Sequence, residues 1–130
     1  VEINVDEDIE LINAWAVIDA GEVVNADGVK NQIEGGIIQA TSCTLIEEVN
    51  FDGEIISATD WENYPIIKFK QTPQIQVELI DRPEEPFLGV GEAAHGPTAA
   101  AISNALFTEM NIRIKQLPIT RERIISSLNT

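Results

Sequence analysis

The residues best placed to do chemistry lie between Gly89 and Pro97, where the chain reads Gly-Val-Gly-Glu-Ala-Ala-His-Gly-Pro. Glu92 is a carboxylate set among glycines just ahead of a helix-like segment. Glycine lets backbone approach a ligand closely, and a carboxylate held there can act as a general base. In a dry pocket its pKa would rise, because burial disfavours the charged form. A plain turn glutamate is the simpler reading of Gly-Val-Gly-Glu taken alone. Two nucleotide motifs fail in the same stretch. Gly89 and Gly91 begin a dinucleotide fingerprint, but Ala94 stands where its third glycine belongs. Gly91 and Gly96 have the spacing of a phosphate-binding loop, but Pro97-Thr98 replaces its lysine and hydroxyl. The free N–H groups opening the next helix could still hold an anion.

Other residues invite simpler readings. His95 suits a loop or helix cap. Cys43 suits a small core position, and Trp15 and Trp61 suit core or edge packing. Gly35-Gly36 falls inside a predicted helix, where each glycine costs about 1 kcal/mol relative to alanine. Such a cost is accepted where something must approach the helix backbone, either another helix or a ligand.

The elements that must carry these residues follow from periodicity. Val1, Ile3 and Val5 alternate with polar residues as a strand, and Ile9–Ile18 reads as a second. The turn Asp6-Glu7-Asp8 joins them into a hairpin. Asn25 or Asp27 caps a helix over about 27–47, with Val29, Ile33, Ile37, Ala40 and Thr44 on one side together with Gly36 and Cys43. A second hairpin is expected from Val49–Phe51 and Glu54–Ser57 around an Asn50–Gly53 turn. Pro73–Ile80 alternates as a further strand. Gly96-Pro97 opens another helix, and Thr120 caps a short last one over Arg121–Leu128. The fold class is therefore α+β: strands and hairpins packed with two main helices, in one unit over residues 1–130.

The chain has 130 residues, with 8 Lys and Arg against 22 Asp and Glu, a net charge of −14. That balance argues against nucleic acid as a partner and against anionic membrane surfaces. No apolar run approaches the roughly 18 residues of a membrane span. One cysteine and one histidine exclude an internal disulfide and a structural zinc site, so no metal ligand set is assigned. Residues 1–62 hold 15 acids and one base, whereas residues 63–130 hold seven of each. A solvated acidic face is the simplest reading of that asymmetry.

The order of the motifs resembles the C-terminal portion of the large subunit of the molybdenum hydroxylases, the xanthine dehydrogenase and aldehyde oxidase family. It is most similar to the bacterial branch that includes the beta chain of isoquinoline 1-oxidoreductase. The resemblance is carried by Val17–Asn25 (VIDAGEVVN), Asn31–Gln39 (NQIEGGIIQ), Leu45–Glu48 (LIEE) and Asn63–Ile66 (NYPI). It continues through Gly89–Glu92 (GVGE), Gly96–Phe107 (GPTAAAISNALF) and Arg113–Pro118 (RIKQLP). It spans nearly the whole chain and only a small C-terminal part of the family's subunit.

The resemblance implies that the chain is a C-terminal segment of a larger molybdopterin-binding domain. The implied cofactor is a molybdenum–pterin group. In the family, the glutamate matching Glu92 is the catalytic base, taking a proton from a metal-bound hydroxide that attacks an electron-poor carbon. The glutamine matching Gln32 contacts the pterin, Gly35 and Gly36 allow close approach, and Gly91 brings its loop near the metal. Substrates are aldehydes or aromatic N-heterocycles, and electrons leave through an iron–sulfur subunit or domain. The implied partners are thus upstream domains of the same subunit and that electron-transfer unit. Many relatives have proline where Ala93 stands, which bears on substrate choice more than on the base.

The family's upstream loop, its cofactor-binding arginine and its cluster cysteines are absent from these residues. The isolated chain is therefore expected to be inactive and, with apolar surface uncovered, to self-associate. The alternative is a non-catalytic binding or assembly module, or a split subunit, of the same fold. The compartment, cytoplasmic or periplasmic, is left open.

Overall fold

A computed structural model describes residues 1–6, 8–51 and 53–129. Strand β1 (Glu2–Val5) pairs antiparallel with β2 (Ile9–Asp19), and β3 (Gln74–Ile80) pairs parallel with the other side of β2. The order across the sheet is β1-β2-β3. A parallel neighbour needs a crossover. Here the crossover contains α1 (Ala26–Leu45), which packs on β2 and β3. Helix α2 (His95–Met110) lies beside α1 and reaches β1, and α3 (Arg121–Leu128) closes the chain. The helices cover one face of the sheet.

Alternation along β2 changes phase once. Ile9 and Leu11 point to the helices, and Ala14, Ala16 and Ile18 do so after a shift of one residue. The register explains it. Ile3 pairs with Leu11 but Glu2 pairs with Asn13, leaving Ile12 as an extra residue. From β3, Ile75, Val77 and Leu79 face the same way. They meet Ile33 and Ile37 of α1, Ile102 and Leu106 of α2, and Ile119 and Ile124 near the end. The opposite face leaves Trp15, Val17 and Ile80 exposed.

The caps follow side-chain chemistry. The Asn25 carboxamide oxygen accepts the Gly28 N–H at 2.9 Å, opening α1. The Thr120 hydroxyl accepts the Arg123 N–H at 3.4 Å, opening α3. Arg123 also donates to the Pro118 carbonyl at 2.6 Å and to Glu48 at 2.5 Å, tying the basic tail to the acidic front.

Four expectations change. The second hairpin is reduced to a single bridge between Phe51 and Ile56, because both side chains are exposed and nothing beneath rewards a longer ladder. Two of the predicted turn residues, Glu7 and Asp52, lie outside the described residues. Cys43 is exposed rather than in the core: at that turn of α1 the buried side is taken by Thr41, Ser42 and Thr44. Trp15 and Trp61 are exposed too, Trp15 on the open sheet face and Trp61 in a surface turn.

Candidate functional site

Two loops leave the carboxyl ends of the parallel strands side by side, the place where open α/β sheets bind ligands. One, residues 20–25, joins β2 to α1. The other, residues 81–94, joins β3 to α2 and carries Glu92. They are laced together by backbone hydrogen bonds. Leu88 N–H donates to the Ala20 carbonyl at 2.9 Å, Arg82 N–H to Gly21 at 3.2 Å, and Glu22 N–H to Glu85 at 3.0 Å. An ion pair between Arg82 and Asp19 at 3.0 Å adds to this from the surface. Gly21 makes the lacing possible. Its φ of +69° is left-handed, and a Cβ there would overlap the Pro86 carbonyl oxygen.

Past the lacing, residues 91–94 form a turn that runs into α2. Ala93 N–H donates to Val90 at 3.3 Å and His95 N–H to the Glu92 carbonyl at 3.2 Å. Glu92 is exposed on that turn. The face of α1 formed by Gln32, Gly36 and Gln39 looks onto this turn. A Cβ at Gly91 would lie 3.9 Å from the Gln32 side-chain oxygen. A Cβ at Gly36 would lie 3.1 Å from Cβ of Ala94 and 3.7 Å from the His95 ring. His95 Nε2 is 3.1 Å from the Gln39 side-chain oxygen, and its Nδ1 is buried without a partner among the described residues. With Gln39 accepting, Nε2 carries the proton and Nδ1 is left as the free acceptor.

The structure thus brings Gln32, Gly36, Gly91 and Glu92 to one locality and gives them different surroundings. Gly36 is buried, and its close approach is filled by Ala94 and His95. Gly35 is exposed, with nothing within 4 Å of a Cβ built there, so its open side faces outward. Gln32 borders a shallow cavity of about 340 Å³ between the two loops, lined also by Asn25, Gly28, Phe87, Leu88 and Val90, the residue before Gly91. Gln39 is the residue that sequence reasoning missed. It lies one turn beyond Gly36 in the Asn31–Gln39 block, and that spacing was its only signal.

A pterin is a flat, hydrogen-bonding group. The exposed Gln32 carboxamide, the glycines open at 35 and 89, and the start of α1 supply donors and room for one side of it. These residues fit such a group as one wall. Among the described residues no group of three or more His, Cys, Asp and Glu side chains could hold a metal ion. The Cys43 thiol, exposed as a residue but partly desolvated at its sulfur, has its pKa raised above the ordinary value, first by that desolvation and then by the Glu47 carboxylate. No helix among the described residues is long and apolar enough to cross a membrane.

Comparison with known proteins bears on the same residues. A family model described as a molybdopterin cofactor-binding domain matches residues 1–73. One of the subunits of nicotinate dehydrogenase from Pseudomonas putida is 46% identical over 110 residues, which is 85% of this chain and 9% of that protein. The beta chain of isoquinoline 1-oxidoreductase from Brevundimonas diminuta is 32% identical over 111 residues, 85% of this chain and 14% of that one. The crystal structure of quinoline 2-oxidoreductase from Pseudomonas putida superposes with a TM-score of 0.79 at 32% identity, covering 93% of this chain and 16% of its own. The chain therefore spans only about a tenth to a sixth of these relatives. Within that span, the chain belongs to the molybdopterin cofactor-binding domain family, in the molybdopterin-binding subunits of xanthine dehydrogenase type.

Proposed function

We propose that the chain is the C-terminal wall of a molybdenum–pterin site, in a hydroxylase that oxidises an N-heteroaromatic or aldehyde substrate with water as oxygen source. Glu92 is its general base. The observation that carries this reading is the placement of Glu92 on a turn held against α1, with Gln32 facing Gly91. Three relatives above 30% identity carry the names of enzymes of N-heteroaromatic compounds, which favours that substrate class over aldehydes.

When bound, the molybdenum–pterin group supplies the redox centre that accepts two electrons from the substrate carbon. The residues here do the rest of this wall's work. Gln32 hydrogen-bonds the pterin edge. Gly35 and Gly91 keep backbone thin where the group passes. Glu92 accepts a proton from the attacking water oxygen, and upstream domains close over it to exclude solvent. Onward transfer of those electrons would belong to an iron–sulfur partner. The chain alone supplies one wall and is inactive, with its uncovered apolar surface favouring self-association.

The test is Glu92→Gln in the intact enzyme. A positioned general base contributes roughly 10²–10⁴ in rate. Turnover is expected to fall by that factor with molybdenum and pterin content unchanged. A loss smaller than about tenfold would refute the base role.

A further inference from the structure

The stretch that carries Glu92 has few means of holding still. Gly89, Gly91 and Gly96 add backbone freedom, and Ala93 and Ala94 offer one methyl each. The turn is closed by two long backbone hydrogen bonds, 3.3 Å at Ala93 and 3.2 Å at His95. The helix that follows starts without a capping side chain, since its N-cap is Ala94. Val90 packs against the core at one end of the stretch. At the other end the anchor is the His95 ring.

That ring seats in a socket on α1. Gly36 makes the room, because a Cβ there would stand 3.1 Å from Ala94 and 3.7 Å from the imidazole. Gln39, three residues on and so on the same side of the helix, sets its side-chain oxygen 3.1 Å from Nε2. The other ring nitrogen, Nδ1, is buried and has no partner among the described residues. Together these fix the proton. On Nδ1 it would be a buried donor without an acceptor, and the Nε2 lone pair would face the Gln39 oxygen. On Nε2 it makes a hydrogen bond.

We propose that His95 is a positioning residue for Glu92: its Nε2–H, donated to Gln39 across Gly36, latches the turn that carries the carboxylate onto α1. The proposal rests on the reading of Glu92 as general base. Gln32 lies one turn before Gly36 on the same face of α1, so the latch also sets Glu92 relative to that carboxamide. Small displacements of a catalytic group are costly in rate. The role differs from filling space, because it depends on one N–H at one edge of the ring.

The experiment compares His95→Phe with His95→Gln in the intact enzyme. Phenylalanine keeps the ring and loses the donor. Glutamine loses the ring and keeps an N–H where Nε2 stands. In His95→Phe, amide exchange at Ala93 and Thr98, the turn and first-helical-turn donors, is expected to quicken roughly threefold to tenfold. Its kcat is expected to fall about tenfold with KM and molybdenum content unchanged. His95→Gln is expected to restore both readings to within about twofold of wild type. In a Glu92→Gln background, His95→Phe is expected to quicken exchange as before and cost no further turnover. His95→Phe equal to or better than His95→Gln would show space filling and overturn the proposal. So would unchanged exchange, loss of molybdenum in step with turnover, or a further loss of turnover in the Glu92→Gln background. A harmless Glu92→Gln overturns instead the base reading, and the positioning role with it, while the exchange readings alone decide the latch.

Discussion

Gly21→Ala isolates the device that holds the two site loops together. Gly21 adopts φ +69°. A non-glycine residue there costs about 1–2 kcal/mol from backbone strain alone. The added methyl would also overlap the Pro86 carbonyl oxygen and stand 3.3 Å from that of Glu85. Neither neighbour is a flexible side chain, so relief requires the 81–94 loop to move. Overpacking of this kind costs about 1–3 kcal/mol. Moving the loop also loosens hydrogen bonds worth about 0.5–1.5 kcal/mol each. The expected local loss is therefore about 2–5 kcal/mol. Gly53→Ala is the control: φ there is +101° but nothing lies within 4 Å of the new atom, leaving backbone strain only. The assay is amide exchange of Glu22, Arg82 and Leu88 in the intact protein, since these donors make the lacing bonds. Local opening is read directly by exchange, and about 1.4 kcal/mol corresponds to tenfold. Gly21→Ala is expected to speed all three by tenfold or more and to lower turnover, because the same loop carries Glu92. Gly53→Ala is expected to leave them unchanged. Equal exchange in the two variants would refute the reasoning.

Gly35→Ala should stabilise α1 by about 0.5–1 kcal/mol, since nothing opposes the methyl. It should also lower the molybdenum–pterin content of the intact protein; unchanged content by metal analysis would remove Gly35 from the cofactor wall. Arg123→Ala should cost about 1–3 kcal/mol in chemical denaturation, because it strands the partly buried Glu48 carboxylate and the Pro118 carbonyl. Arg123→Lys should recover less than half, an ammonium being unable to fork across both acceptors. Tyr64 donates to Glu47 at 2.7 Å, and that hydrogen bond, with smaller help from burial and charge, raises its pKa. A raised folded-state pKa contributes stability below the unfolded value near 10 and loses it as pH climbs through the folded one. Stability should thus fall more steeply on the alkaline side in the wild type than in Tyr64→Phe, and parallel alkaline arms in thermal melts would refute it.

What was legible in the sequence was whatever a local pattern encodes. Alternation located β1 and β3, and an apolar-rich run located β2, each to within a residue or two. Asn25 and Thr120 announced the starts of α1 and α3 because capping is local chemistry. Glycine at 36 announced a close approach. What met it, Ala94 and the His95 ring, was set by the packing of α2's first turn, far along the chain, and no local pattern carries that. The same limit explains the lost hairpin at 49–57. Two apolar runs around a turn satisfy the pattern, but a ladder survives only over a core, and Phe51 and Ile56 have none. Cys43 fails for a similar reason: it lies on the predicted stripe, but the packing at that turn of α1 buries Thr41, Ser42 and Thr44 instead. The Ile12 bulge, invisible as a motif, matters most for the site. Without it, Ala14, Ala16 and Ile18 would turn to the open face and Trp15 and Val17 would point at α1. The groove beside Ala93 would then be filled by the protein's own tryptophan. A single extra residue in β2 therefore sets both the core packing of the strand and the apolar groove that runs beside the turn of the candidate base.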